Sequence, residues 1–417
     1  MTGNWQRAVP VYNQPIRTRA LYVLGALTGV AVLLALYRVF AGLGPASGMN
    51  DAYSWGIWKT FNVMVLTGLG SGGFAVGIGA WVFYRQRLHS VMRAALLISF
   101  LAYFCGLILL TIDVGRPWNL YWMLFPWNWN THSPLLEVMV CMSVYAMFPL
   151  AVENVPPILE RLYDDRPSLR PLIERAMGII AKGYPYVIGL AYALPMMHQS
   201  SLGALMLLAG ERVHTLWQTP WLPLLYVWAA AFMGYACVAG TLLFCSLMWK
   251  RARDMQVLTE MSYITAGLIA SWWLFRVGDL MYRNRLRAAF AVNPYSFVFW
   301  LEMVLLAGSV VFLVVSSRKQ NTQLMFHGHL LAAIGGALYR FNPTTFAFQA
   351  KPGAFYFPSA IEILISLGFV ALGIAGFMAA VKLLPILPAP LSEWRGMEAH
   401  GKARSGLVAQ GYAAAQD

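Results

Sequence analysis

The sequence predicts an all-α polytopic membrane protein of about ten transmembrane helices, arranged as two related four-helix bundles plus two peripheral helices. Three observations carry that expectation. The 417 residues are 59% apolar and only 11% charged, against about 45–50% and about 25% in soluble domains. The mean hydropathy is +0.58, and the apolar residues fall in stretches of about 20, the length that crosses a bilayer as a helix. Paired motifs also recur at a nearly constant spacing. The net charge of +13, from 30 Lys+Arg against 17 Asp+Glu, reads as membrane topology rather than nucleic-acid binding, because the basic residues lie between the apolar runs.

The candidate spans, in order, are 20–39, 60–84, 94–112, 135–152, 183–209, 222–249, 258–277, 295–315, 324–347 and 358–381. Arg7, Arg17 and Arg19 precede the first as they would a signal peptide, but the charge-free run from Ala20 to Tyr37 exceeds the usual h-region of about 7–15 residues. The chain divides into a cytoplasmic segment 1–19, a first peripheral helix with its outer loop 20–54, a first bundle 55–210 and a second bundle 211–350. A last transmembrane helix over 351–391 and a polar cytoplasmic tail, 392–417, complete it.

An even number of spans puts both termini on one side, and Lys and Arg outnumber those of the opposite side two to one there. The positive-inside rule makes that side the cytoplasm, and in a Gram-negative cell the opposite side is the periplasm. The outer connections carry Trp118, Tyr121, Trp122, Trp127, Trp129, Trp217 and Trp221, expected as headgroup anchors, with docking of a partner as the alternative.

Asp113-Val114-Gly115-Arg116 ends the third span and Arg276-Val277-Gly278-Asp279 the seventh, with the charges exchanged. Trp55 and Trp221, Arg85 and Lys250, and Glu137 and Glu302 repeat at offsets of 165 or 166, close to the 163 of the Asp113/Arg276 pair. Spans two to five and six to nine are therefore expected to be parallel repeats.

The ionisable candidates lie toward the outer ends. Asp113, Glu137, Asp279, Glu302 and Glu362 all fall within about a turn of a helix end, and their cost in lipid, about 2.5–3.5 kcal/mol for Asp on insertion scales, turns such groups inward. Asp113/Arg116 and Arg276/Asp279 have the spacing of i,i+3 ion pairs. His198, in Pro195-Met196-Met197-His198-Gln199-Ser200-Ser201, is read either as a satisfied core histidine or as a proton donor to a quinone carbonyl. Arg340, at the corresponding place in span nine, is harder to explain by packing, and Glu153, Lys182 and Tyr184 are the inner-half candidates for a proton relay.

Haem b requires two imidazoles at one depth, and the other six histidines are expected in connections, helix ends or the tail. Cys105, Cys141, Cys237 and Cys245 form no C-x-x-C pair and read as packing residues. No haem and no metal is expected in this chain. Gly68-Leu69-Gly70-Ser71-Gly72-Gly73 matches G-x-G-x-x-G but sits in an apolar span without a preceding strand, so it is read as helix packing rather than a nucleotide site.

Trp55-Gly56-Ile57-Trp58, Thr111 to Arg116, Met197 to Gly203 and Leu384 to Pro388 together resemble the integral membrane subunit of HybB-type NiFe-hydrogenases, within the wider NrfD/PsrC family. The resemblance implies a haem-free subunit exchanging electrons between a membrane quinone, menaquinone or ubiquinone, and a periplasmic-side iron–sulfur subunit wired to a catalytic unit. It implies quinone contacts at Asp113, Arg116, Glu137 and His198, and a proton route past Arg276, Asp279, Glu302 and Arg340. Related subunits serve sulfite-reductase-linked complexes of dissimilatory sulfur metabolism, which is the alternative for the partner. A secondary transporter would also present duplicated bundles with intramembrane charges, and a purely structural anchor, the third possibility, predicts no bound quinone.

Overall fold

The computed structural model describes residues 15–53, 56–249, 254–350 and 353–387. Trp55, Lys250, Pro388 and the tail 392–417, each part of the sequence expectations, lie outside the described residues. Each expected span meets a helix. α1 is Arg19–Ala41, capped by the Thr18 hydroxyl and ended at Gly42, whose φ of 91° a side chain would resist. α2 is a discontinuous span over Trp58–Val82, α3 is Met92–Asp113, α4 is Pro134–Met147 and α5 is Arg170–Leu208. α6 is Leu222–Met248, α7 Met255–Tyr282, α8 Pro294–Lys319, α9 Thr322–Phe341 and α10 Ala360–Leu383.

Among the described residues, eight helical stretches are long and apolar enough to cross a membrane. α7 and α9 are not among them, because they carry more polar and charged side chains, yet they pack as members of the bundle. The chain is a multi-pass membrane protein. In the first bundle α2 packs on α3, α3 on α4 and α4 on α5; in the second, α6, α7, α8 and α9 close a ring. The bundles join where α6 meets α5 and α2, and where α9 meets the start of α2. α1 and α10 pair outside both rings, with α10 against α3.

α5 departs from the expected boundary. It begins at Arg170 rather than near 183 and runs for 39 residues, roughly 58 Å at 1.5 Å per residue and so longer than the hydrocarbon core. The extra turns carry Arg170, Glu174 and Arg175, which hydropathy alone passes over. Tyr163 of the preceding helix, Val155–Asp165, donates to Glu174 Oε1 at 3.1 Å and accepts at its carbonyl from Arg170 Nε at 3.3 Å, making a hairpin.

α2 changes winding along its length: π over Trp58–Val65, α over Leu66–Leu69, a break at Gly70 and Ser71, α over Gly72–Gly77 and π again over Ile78–Val82. The glycine run in the middle is filled by neighbours. A Cβ on Gly68 would lie 3.0 Å from the Arg340 guanidinium carbon, one on Gly73 would lie 2.8 Å from Ser99 Oγ, and one on Gly234 of α6 would come within 2.6 Å of the Gly72 nitrogen. The packing reading of the G-x-G-x-x-G stretch therefore holds. Gly234→Ala is expected to destabilise by about 1–3 kcal/mol through overpacking at this crossing, measured as unfolding in mixed micelles. Unchanged stability would mean the α2/α6 contact has slack.

Candidate functional site

Among the described residues, three buried polar clusters hold the candidate residues Asp113, Glu362, His198, Arg340, Glu302 and Arg276. The first joins the starts of α2 and α10 to the end of α3. Asp113, in the last turn of α3, is 2% exposed and pairs with Lys59 Nζ of α2 at 3.2 Å. The Lys59 side chain remains 28% exposed, so the carboxylate is closed while its counter-ion reaches the boundary. Arg38 of α1 donates to the carbonyl of Val114, the next residue, at 2.6 Å. Thr60 Oγ1 and Asn62 Oδ1, on the same π turn as Lys59, are buried without a hydrogen-bond partner. Glu362 closes the cluster as a structural clamp, accepting from Gly48 N at 2.7 Å, Ser359 N at 2.8 Å and Tyr356 Oη at 2.9 Å.

The second cluster lies on α5. His198 is fully buried, with Nδ1 at 3.0 Å from the Val138 carbonyl of α4 and Nε2 at 3.3 Å from Thr67 Oγ1 of α2. Gln199 Nε2 donates to Thr67 Oγ1 at 3.2 Å and to Tyr103 Oη of α3 at 3.0 Å. Arg340 enters from α9, across the bundle interface, and donates to Gln199 Oε1 at 2.6 Å, Met64 O at 2.8 Å and Tyr226 O at 2.6 Å. A guanidinium buried in lipid needs such a set of acceptors. Its charge also lies over the Tyr226 ring, 5.0 Å from the centroid.

The third cluster lies wholly in the second bundle. Glu302 Oε2 of α8 accepts from Trp217 Nε1 at 3.0 Å and Asn342 Nδ2 at 2.9 Å. Arg276 of α7 donates to Leu216 O at 2.8 Å and lies 5.3 Å from the Tyr339 ring centroid and 5.9 Å from that of Phe299. Glu302 Oε1, Arg276 Nε and NH1, Trp272 Nε1 and the hydroxyls of Tyr226 and Tyr339 are buried without a hydrogen-bond partner. So many unsatisfied atoms on neighbouring side chains mark a place where polar chemistry, rather than packing alone, shapes the interior.

The family model described as polysulphide reductase, NrfD, matches residues 45–342. The chain belongs to the NrfD family. An Escherichia coli K12 member, "Probable Ni/Fe-hydrogenase 2 b-type cytochrome subunit", is 35% identical over 91% of this chain and 94% of its own length. A Nitratidesulfovibrio vulgaris Hildenborough member, "Menaquinone reductase, integral membrane subunit", is 27% identical over 85% of this chain and 88% of its own. The chain thus spans nearly the full length of both relatives.

The words "b-type cytochrome" in one relative's name invite a test for haem. Among the described residues, His198 and His329 are the fully buried histidines. They sit in different bundles, His198 with both ring nitrogens in hydrogen bonds and His329 Nε2 at 3.1 Å from Ser262 Oγ. That arrangement does not fit a bis-histidine haem. Among the described residues, no three His, Cys, Asp or Glu side chains converge on a metal position.

Of the residues this NrfD family chain offered from sequence, His198 and Arg340 are brought into one network, although they stand in different bundles. Asp113 does not reach His198, since their respective partners on α2, Lys59 and Thr67, are eight residues apart, on the order of 10 Å of helix. Arg116 is exposed and Glu137 lies in the first turn of α4. The i,i+3 pairs are corrected: Asp113 meets Lys59 rather than Arg116, and Asp279 binds Arg283 through both oxygens at 2.6 and 2.9 Å rather than Arg276. A fourth-neighbour arginine at the helix end reaches the carboxylate, while Arg276 turns into the aromatic interior. Trp217, expected as a headgroup anchor, is buried against Glu302. Of the expected inner-half candidates, Glu153 is half-buried with Oε2 unpartnered, and Lys182 is exposed.

Sequence reading missed Lys59, Thr67, Tyr103, Arg38 and the depth of His329. Of these Lys59 left a signal, as a cation placed at the start of an apolar span. The others gain meaning from partners remote in the chain.

Proposed function

We propose that this chain is the quinone-reactive subunit of a respiratory complex in the bacterial inner membrane, its termini cytoplasmic, exchanging electrons between a membrane quinone and an iron–sulfur subunit on the periplasmic face. The observation that carries the reading is the Asp113–Lys59 pair, a buried carboxylate at a helix end whose counter-ion opens to the boundary. The unpartnered Thr60 and Asn62 oxygens on the same π turn as Lys59 fit a ligand that both accepts and donates hydrogen bonds. The name of the Nitratidesulfovibrio relative supports menaquinone as that ligand.

A quinone supplies two-electron, two-proton chemistry at its carbonyl oxygens. Lys59 orients a carbonyl by donating to it, and Asp113 holds or takes the proton. His198 forms a second, deeper proton station with Thr67 and Gln199. Arg116, exposed after the end of α3, and Glu137, in the first turn of α4, are the candidates for exchange of the head group and its protons with the outer side. The unsatisfied groups around Arg276, Glu302 and Arg340, with Asp279 at the outer end and Glu153 and Lys182 at the other, support a proton route. Hydrogenase is the first choice of catalytic partner on the 35% identity of the hydrogenase relative. The sulfur-metabolism assignment that the family resemblance also implies stands second.

In the intact complex with a soluble quinone analogue, Asp113→Asn is expected to lower turnover about 100-fold, the scale of a lost acid–base group, with assembly unchanged. Full turnover in both Asp113→Asn and His198→Ala complexes would sink the reading. Extraction of the purified complex is expected to yield quinone, identified by mass spectrometry, and its reduced-minus-oxidised spectrum to lack a haem b band from this chain.

A further inference from the structure

Counting donors and acceptors around His198 assigns a role to Thr67. Arginine can only donate, so the Gln199 atom that meets Arg340 at 2.6 Å is the amide oxygen, and the amide nitrogen is thereby turned toward Thr67 and Tyr103. The Val138 carbonyl can only accept, so His198 Nδ1 carries a proton. Thr67 Oγ1 receives the Gln199 N–H and has one hydrogen to give. Two acceptors compete for that hydrogen: the Val63 carbonyl one turn back, and His198 Nε2 when the imidazole is neutral.

The count closes in two states. With His198 neutral, the Thr67 hydroxyl donates to Nε2. With His198 protonated, Nε2–H donates to Thr67 Oγ1, and the hydroxyl hydrogen turns to Val63 O. Besides the proton on Nε2, a single rotation about the Thr67 Cβ–Oγ1 bond separates the two, and no heavy atom has to move.

We propose that Thr67 is the positioning residue for proton exchange at His198, its hydroxyl rotating between Val63 O and His198 Nε2 while Arg340, through Gln199, keeps the Thr67 oxygen in place. The proton that Nε2 gains or loses is given or taken by the quinol/quinone pair of the proposed reaction, and Nδ1–H stays on Val138 throughout. Electron balance is unaffected, since the two states differ by one proton on Nε2 and a hydroxyl rotation. The proposal rests on His198 acting as a proton station in the quinone reaction.

The test uses the full-length chain with ¹⁵N-labelled histidine in liposomes, His198 being assigned by its loss in His198→Asn, together with turnover of the intact complex. In the native chain and Thr67→Ser, magic-angle NMR is expected to show His198 in the Nδ1–H tautomer with a hydrogen-bonded Nε2. Thr67→Val, close in volume but without a hydroxyl, is expected to move the Nε2 resonance to the position of a free ring nitrogen and to lower turnover at least about tenfold. Thr67→Ser is expected to stay within about twofold of the native rate. An Nε2 resonance unmoved in Thr67→Val overturns the assignment whatever the turnover does. A moved resonance with native turnover overturns the positioning role, and native turnover in the His198→Asn complex as well shows the reading of His198 to be the part that failed. If Thr67→Val does not assemble, Thr67→Ser and Thr67→Ala decide by the same resonance, with only the serine chain expected to keep the native position.

Discussion

Arg340→Met is expected to lower the unfolding free energy of this chain by about 3 kcal/mol. The guanidinium is fully buried and gives hydrogen bonds to Met64 O, Gln199 Oε1 and Tyr226 O from three different helices. Bonds to a charged group are worth about 1.5–3 kcal/mol each, and an abandoned buried acceptor costs about 1–3 kcal/mol. Against this stands the recovered cost of burying a cation, which is why the expected loss is well below the sum. Methionine fills much of the volume but can satisfy none of the three acceptors. Arg340→Lys is not expected to rescue, because one ammonium nitrogen cannot reach acceptors that the native residue meets with two separate nitrogens. Reversible unfolding in mixed micelles measures the loss, and a double-mutant cycle with Gln199→Leu is expected to show a coupling of about 1 kcal/mol or more. A loss below about 0.5 kcal/mol would mean that the bundle interface does not depend on this contact.

Glu362→Ala is the second large effect, expected at about 3 kcal/mol. The carboxylate caps α10 by accepting from the backbone of Ser359, whose hydroxyl in turn accepts from Glu362 N at 3.1 Å. The same two oxygens accept from Gly48 N and Tyr356 Oη. Tyr356 Oη also accepts from Ile57 N at 2.7 Å, so one side chain ties the segment entering α2 to the start of α10. Burial raises the Tyr356 hydroxyl above its ordinary range, so it remains a donor at neutral pH. Hydrogen exchange is the direct readout: the amides of Gly48 and Ile57 are expected to lose protection by about 100-fold, matching about 3 kcal/mol at 1.4 kcal/mol per tenfold. Glu362→Gln, which keeps one acceptor oxygen, is expected to fall between the two. Native protection in Glu362→Ala would assign the clamp to packing instead.

Hydropathy placed the spans well because membrane helices satisfy their backbone internally, and the signal is therefore local. It failed at Arg170–Lys182, where α5 continues as a charged helix outside the apolar stretch and nothing in a hydropathy window distinguishes helix from loop. The glycine run in α2 was legible as packing, but not that Arg340 and Gly234 fill it. Of the site, the singular character of His198 and Arg340 was visible, each a polar group inside an expected span. Their junction through Gln199 was not, since 141 residues separate Arg340 from its partner. The i,i+3 rule misled at Asp113 and Asp279 because it scores neighbours along one helix, and a carboxylate at a helix end chooses among cations from every element packed there.

By itself the sequence determined that the chain crosses a membrane repeatedly as helices, where the apolar part of each lies, and that Asp113, Glu137, Asp279 and Glu362 stand near helix ends. Those properties follow from residue-by-residue transfer free energies, which need no knowledge of neighbours. The tertiary structure alone decided that Lys59 pairs with Asp113, that Arg340 serves the first bundle from the second, that Trp217 is buried on Glu302, and that Thr67 stands between His198 and Gln199. A charge or hydroxyl in a low-dielectric interior is satisfied by whatever the packing of distant helices brings within about 3 Å, and that is a property of the assembled bundle rather than of any stretch of chain.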